Sequence, residues 1–597
     1  MLQRELKLTK RAHYIALNII RGWVLTGIVL STFVGCVTRE TQVFQPPAES
    51  PVDDSFTRTS EDKLIASTAV ISSDVLYKTI VSELHANRAE FDEAGENYLD
   101  LALQTKDLGI LRRAIQFATL NEDQNALMQL ALLWSESDPL NSRPRRMLAS
   151  LTLESGALMQ SLLHMERILE LGEEIDFSVL SSRTGEMSDA SRDLLLNQLT
   201  ILAKKFPTDT SVIIAMTQLL AQNNEFEEAL EQLANFNKII PLTPRIVLLK
   251  AEILNRLNNP ENALKTLKDG TRTFKEDIPL RLNYARMLVR QNRFKDAITE
   301  FGIVLKQDPD NHGARFSQSL IFLETEAFKK AATAFNFLIA SNQRVEEATY
   351  YLAYSLENQD LIEEAILKYQ SIPSSAQNFI ASQQQATRLL IAQGEFEKAH
   401  EALLQSSKGQ PQLQIVFITM ESRLLLQSDN ADRAKKLIDA SLNRFPGEIE
   451  LLFARVLYFD LIGDAQNSEK DLKQIIRIQP DDSRALNHLG YMLATQTSRF
   501  EEANALIERA IRISPDDPAI IDSLAWVQYK LGRYETALKN IARAYERFPD
   551  PEVASHMGEI LWALNRRQDA NKIWGQALEQ NPNSAIIIEA MERLQSH

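Results

Sequence analysis

Residues 518–551 read PAIIDSLAWVQYKLGRYETALKNIARAYERFPDP. The spacing predicts two antiparallel helices joined by a tight turn at Gly532. Ala525 and Ala537 stand where the helices would cross, and small side chains there let two backbones approach closely. Pro549 ends the second helix, because proline cannot continue one. Two short helices cannot bury their own apolar face, so such a pair needs neighbours of its own kind.

The neighbours are present. Ala229, Ala263, Ala297, Ala331, Ala365 and Ala399 each stand 34 residues from the last, and the series goes on through Ala434, Ala503, Ala537 and Ala570. Twelve places earlier, or thirteen for Gly490, come Ala251, Ala285, Ser319, Ala353, Gly490, Ala525 and Gly558. Three places earlier an aromatic recurs at Phe226, Phe294, Phe328, Phe396, Phe500 and Tyr534, expected to fill the space between units. Twelve places later comes a proline at 309, 446, 515, 549 and 582. This pattern resembles the tetratricopeptide repeat (TPR). It implies an all-α fold, a TPR helix-turn-helix solenoid (superhelix) of about fourteen repeats. Repeats are expected to start near 75, 107, 142, 210, 244, 278, 312, 346, 380, 415, 449, 483, 518 and 551. Residues 63–209 are read as degenerate TPR-like helices, 210–584 as the regular array and 585–597 as a capping helix. Residues 176–209 break the pattern, and Ile586, Ile587, Ile588 and Met591 are expected to pack back on the last repeat.

Sparse glycine (19) and proline (20) in 597 residues fit a helical chain. The formal charge is −15. The first 35 residues hold five basic side chains and one acid, so the remainder carries 60 basic against 79 acidic groups, or −19. Such a body lacks the basic stripe that nucleic acid requires. Glu227-Glu228, Glu363-Glu364 and Glu501-Glu502 recur at one repeat position, as solvated carboxylates near the positive end of a helix dipole. The eight histidines are scattered without metal-ligand spacing. No phosphate loop, G-x-S-x-G or H-E-x-x-H stretch occurs. The chain therefore reads as non-catalytic, with no metal and no cofactor.

The N-terminus reads as a processing signal. A polar, basic stretch precedes an uncharged run from Gly22 to Phe33, too short to span a bilayer comfortably. It ends in Phe33-Val34-Gly35-Cys36, which resembles a bacterial lipobox with Phe33 where leucine is usual. The resemblance implies a signal peptide over 1–35, cut before Cys36, the chain's single cysteine and the residue that would be lipidated. Several acyl chains anchor a protein stably, which one does not. Val37, in place of an aspartate, implies the periplasmic face of the outer membrane. Residues 36–62, with Pro46, Pro47 and Pro51, read as a flexible tether.

The first helix of each TPR lines the inner face of the superhelix. Its inward places hold Gln218, Glu252, Arg286, Leu320, Tyr354, Arg388, Arg423, Leu457, Tyr491, Trp526 and Glu559, with Phe316, Tyr350 and Tyr529 a turn away. The candidate partner-binding residues are Arg286, Phe316, Tyr350, Tyr354, Arg388, Arg423, Tyr491, Trp526 and Tyr529, because aromatics and arginines dominate binding hot spots. The Lys-Asn pair of carboxylate-capturing TPR modules is absent.

Both ends resemble more than a generic repeat. Leu76-Tyr77-Lys78 with Glu96-Asn97-Tyr98-Leu99, Leu489-Gly490-Tyr491-Met492, Asp522-Ser523-Leu524-Ala525-Trp526 and Gly558-Glu559-Ile560-Leu561-Trp562 look like a family of large TPR lipoproteins of Gram-negative bacteria. In that family the lipoprotein binds and activates a periplasmic carboxyl-terminal processing protease and delivers substrates such as peptidoglycan hydrolases. The resemblance implies a protein-binding scaffold with those partners, and neither nucleic acid nor small-molecule substrate. The competing expectation is a lipoprotein that assembles an outer-membrane machine such as a pilus or secretin.

Overall fold

The computed structural model describes residues 72–236 and 239–596. The expected signal peptide, Cys36 and the tether lie outside the described residues. Within them the chain forms 31 α-helices and no strand. It divides between Thr325 and Glu326 into two compact units, an N-terminal and a C-terminal one.

The helix pair Pro518–Lys530 and Tyr534–Arg547 shows how the repeat is built. Asp517 caps the first helix, its carboxylate accepting from Ala519 N at 2.9 Å, and Pro518 occupies the first turn, where no amide hydrogen is needed. The helix ends where Gly532 takes a φ of +75°. Arg533 N then donates to Gln528 O at 2.8 Å and Gly532 N to Tyr529 O at 2.9 Å, so the last carbonyls are satisfied as the chain reverses. The same turn position has φ between 55° and 79° at Asn224, Asn258, Asn292, Asp360, Gly394, Asp429, Gly463 and Asn565. Asparagine and aspartate tolerate that region better than other side chains do. Pro549 follows two residues after the second helix ends, as Pro309, Pro446, Pro515 and Pro582 do for theirs.

The small residues sit at close crossings. A β-carbon at Gly490 would stand 2.5 Å from Ile507 Cγ1 and 3.0 Å from the Ala503 carbonyl. The repeat alanines 229, 263, 297, 365, 399, 434, 503, 537 and 570 are all 0% exposed. The aromatics three places before them are mostly half-buried, with Tyr534 exposed, and two of them meet the next repeat: Phe328 lies edge-on to Tyr354 at 6.3 Å, and Arg433 stands over Phe396 at 4.2 Å. The interior between helices is filled by the residue one turn after the alanine. There stand Leu233, Leu267, Phe301, Tyr369, Leu403, Ile438, Ile507, Ile541 and Trp574, all buried. Four residues make just over one helical turn, so this side chain shares the alanine's face.

The acid pairs at the starts of second helices are exposed. Ala585–Gln595 forms a closing helix in which Ile587 and Ala590 are buried, Ile587 in one cluster with Trp574 and Leu561. Ile586 and Ile588 remain exposed, because adjacent residues of a helix cannot share one face.

Residues 176–188 depart from the repeat in a definite way. Where a first helix would stand there are only the helix Ser178–Ser181 and the 3-10 turn Thr184–Glu186. The second helix, Asp189–Lys205, is complete. Phe177 and Leu180, both 0% exposed, join Leu195, Leu199, Ile213 and Met216 in one core cluster. Two well-placed apolar side chains thus do the packing that a longer helix would do. No described helix is long and apolar enough to cross a membrane.

Candidate partner-binding face

The nine candidate residues all lie on first helices, and the structure separates them by whether another group already holds them.

In the N-terminal unit, Arg286 is on Ile278–Arg290. It is half-buried and has no ion pair or hydrogen bond among the described residues. Burial, and then the like charge of Arg290 one turn on, lowers its hold on the proton. A guanidinium in that position gains from any carboxylate brought to it. Phe316, on His312–Glu324, is 9% exposed and belongs to the interior.

In the C-terminal unit, Tyr350 and Tyr354 lie on Val345–Glu357. The ring of Tyr350 stands 5.4 Å from that of Tyr369, and Tyr354 meets Phe328 edge-on at 6.3 Å. Burial pushes the Tyr350 hydroxyl up to about 12. Arg388, on Phe379–Ala392, is not free: it donates to the Glu357 carboxylate and, through Nε, to Gln385 Oε1 at 2.9 Å. Tyr369 OH reaches the same carboxylate at 3.3 Å. Arg388 therefore ties one repeat to the next. Arg423, on Pro411–Gln427, is exposed and has no ion pair among the described residues.

Near the C-terminus three first helices, Ser483–Gln496, Pro518–Lys530 and Pro551–Ala563, are joined through their inward side chains. Tyr491 OH donates to Glu552 Oε1 at 2.6 Å, reaching across the helix between them. Burial, then that carboxylate, raises its proton affinity. His556 Nδ1 lies 2.9 Å from Asp522 Oδ1, and its ring stacks on Trp526 at 4.0 Å. Trp526 is 7% exposed, with Lys530 Nζ 4.5 Å above its ring and Tyr529 at 5.1 Å. Glu559 is held by Arg593 of the closing helix at 2.6 Å. Tyr491 and Tyr529 are half-buried at the edges of this cluster, while Trp526 is buried.

Asp522 and His556 are both buried. The adjacent hydroxyls are engaged: Ser523 donates to Ala519 O at 2.9 Å and Ser555 to Ile586 O at 3.3 Å. The pair serves as a strut between consecutive repeats. No group of three or more His, Cys, Asp or Glu able to hold a metal occurs among the described residues.

The sequence does not reveal which of these inward side chains are already engaged. The partners of Arg388, Tyr491 and His556 lie 31, 61 and 34 residues away, so only the repeat spacing hints at them.

Family models of the tetratricopeptide repeat match residues 284–336, 453–518 and 494–560. A TPR repeat-containing protein of Pseudomonas aeruginosa is 33% identical over 517 residues, covering 86% of each chain. Among solved structures, a tetratricopeptide repeat protein from Parabacteroides merdae covers 48% of this chain and 98% of its own, at 15% identity and a TM-score of 0.30. MamA from Desulfovibrio magneticus covers 30% and 98%, at 14% identity and a TM-score of 0.26.

Proposed function

This chain belongs to the tetratricopeptide-repeat proteins, and from that premise we propose that it is a lipid-anchored adaptor for a periplasmic carboxyl-terminal processing protease. The repeats make it a scaffold for protein–protein interaction. In this reading the lipid on Cys36 holds it to the outer membrane, and protease and substrate, such as a peptidoglycan hydrolase, occupy different repeats. Holding both on one chain replaces a free encounter by a local one and raises effective concentration.

The observation that carries a binding role is the state of Arg286 and Arg423. In a chain of net charge −15, both stand on first helices without a carboxylate partner among the described residues. The protease as partner is supported by the resemblance of the end segments, Leu76-Tyr77-Lys78 and Gly558 to Trp562 among them.

The test is direct. Tagged protein is captured from a membrane extract, and the cleavage of a cell-wall hydrolase by the captured protease is timed with and without it. Co-capture with faster cleavage is expected. Absence of any such protease, or an unchanged rate, sinks the adaptor reading.

A further inference from the structure

The shortened helix at 178–181 leaves a recess on the first-helix face of the N-terminal unit. It is a cavity of about 530 Å³, open to solvent. Ligand sites run from roughly 300 to 1,000 Å³. Three elements form its walls: Ser181 and Ser182 from the short segment, Gln218 and Gln222 from Thr210–Gln222, and Glu252 and Arg256 from Pro244–Arg256. Gln218 and Gln222 stand one repeat before Glu252 and Arg256, at the same inward places.

The lining is organised. Gln222 is fixed at both ends, Nε2 donating to Ser181 O at 2.8 Å and Oε1 accepting from Thr184 at 2.6 Å. Gln218 accepts from the Ser181 hydroxyl at 2.6 Å, and its NH2 has no protein partner among the described residues. Glu252 and Arg256 meet at 3.4 Å and are otherwise exposed to the cavity and solvent.

The charges balance. Two carboxylates, Asp176 and Glu252, are matched by two guanidiniums, Arg245 and Arg256, with Arg245 on Asp176 at 3.1 Å. A phosphate would meet the carboxylates and a cation the guanidiniums. No aromatic ring lines the recess, so a sugar or nucleobase finds nothing to stack on. What is offered is a mixture of neutral donors and acceptors with a small apolar floor at Val179, Ala221 and Leu249. That set matches the peptide group and uncharged polar side chains.

We propose that this recess is a docking pocket for a neutral polar stretch of polypeptide, a partner's segment rich in serine, asparagine and glutamine, held by Gln218, Glu252 and Arg256. This deepens the scaffold reading and rests on it only for the origin of the segment.

The experiment uses the full chain and four fluorescent, end-capped octapeptides: one of Ser, Asn and Gln, one acidic, one basic and one of Leu and Phe. The polar peptide is expected to bind saturably. Ser182→Trp places a ring at the mouth from an exposed position and should weaken it about tenfold. Gln218→Leu removes one donor and should weaken it about fivefold, the worth of one hydrogen bond. Unchanged melting of both variants is checked alongside, and either variant alone suffices if the other fails to fold. Polar-peptide binding indifferent to these changes, tighter binding of a charged or apolar peptide at this place, or no saturable binding overturns the proposal. No protease enters the assay, so its outcome is independent of the adaptor test.

Discussion

Trp574 and Gly558 occupy one space: a β-carbon at Gly558 would stand 2.0 Å from the Trp574 Nε1 and 2.1 Å from Cε2. Trp574 is among the largest fully buried side chains, and Gly558 is on the first helix that crosses it. The largest ring of the second helix thus requires the smallest residue opposite. The pairing fixes both helices of the last repeat.

Gly558→Ala should therefore destabilise, whereas in most helices the same change helps. Overpacking costs about 1–3 kcal/mol. Gly575, on the same second helix but with nothing within 4 Å of its β-position, is the control. Gly575→Ala should be neutral or stabilise by roughly 0.5–1 kcal/mol, since glycine inside a helix is unfavourable by that much. Hydrogen exchange should show the loss at Pro551–Ala563 and Arg567–Gln580 first, because repeats couple through nearest neighbours. Equal melting of the two variants would contradict the crossing described.

Two histidines should titrate in opposite directions. The Glu421 carboxylate, 2.9 Å from His400 Nδ1, raises the pKa of His400 above its usual value. Its contribution to stability is fully present below pH about 6.5, the unfolded value, and is lost as pH rises through the folded one. Burial, and then the charge of Arg145, lowers the pKa of His164. The N-terminal unit therefore loses stability as pH falls below about 6.5, where the unfolded chain takes up a proton that the folded one refuses. Imidazole titration by NMR reads both, and His400→Gln should abolish the first effect.

Arg286→Ala with Arg423→Ala should weaken partner capture about a hundredfold or more while leaving melting unchanged. Each loses a charge-assisted contact worth roughly 1.5–3 kcal/mol in the complex, and neither makes an ion pair in the free chain. Arg388→Ala and Trp526→Ala are unsuitable probes of capture. The first strips Glu357 of its cation and the second empties a buried site beside His556, so both should lower stability. Capture unaffected by the Arg286 and Arg423 pair would remove them from the binding face.

Cys36→Ser should leave unprocessed, unacylated precursor. Metabolic labelling with a fatty acid and the gel mobility of the chain report it. A variant still cleaved and labelled would show that the lipid is elsewhere.

The repeat was legible because its constraints are local. Ala229 to Ala570 mark the crossings, Gly532 a reversal, and Pro549 and its equivalents the ends. Each of these follows from backbone sterics within one helix pair, so residue type and spacing alone determine it. Tertiary structure alone decided which inward side chains are engaged. Arg286 and Arg388 hold equivalent places on their helices, yet Glu357 stands across from one and no carboxylate from the other. The recess at Gln218 depends likewise on Phe177 and Leu180 holding the core so that the helix over Ser178–Ser181 can be short. Burial and pairing are set by what the adjacent repeat presents, tens of residues away in the chain, and a pattern that repeats every 34 residues is the same whether that neighbour brings a carboxylate or a gap.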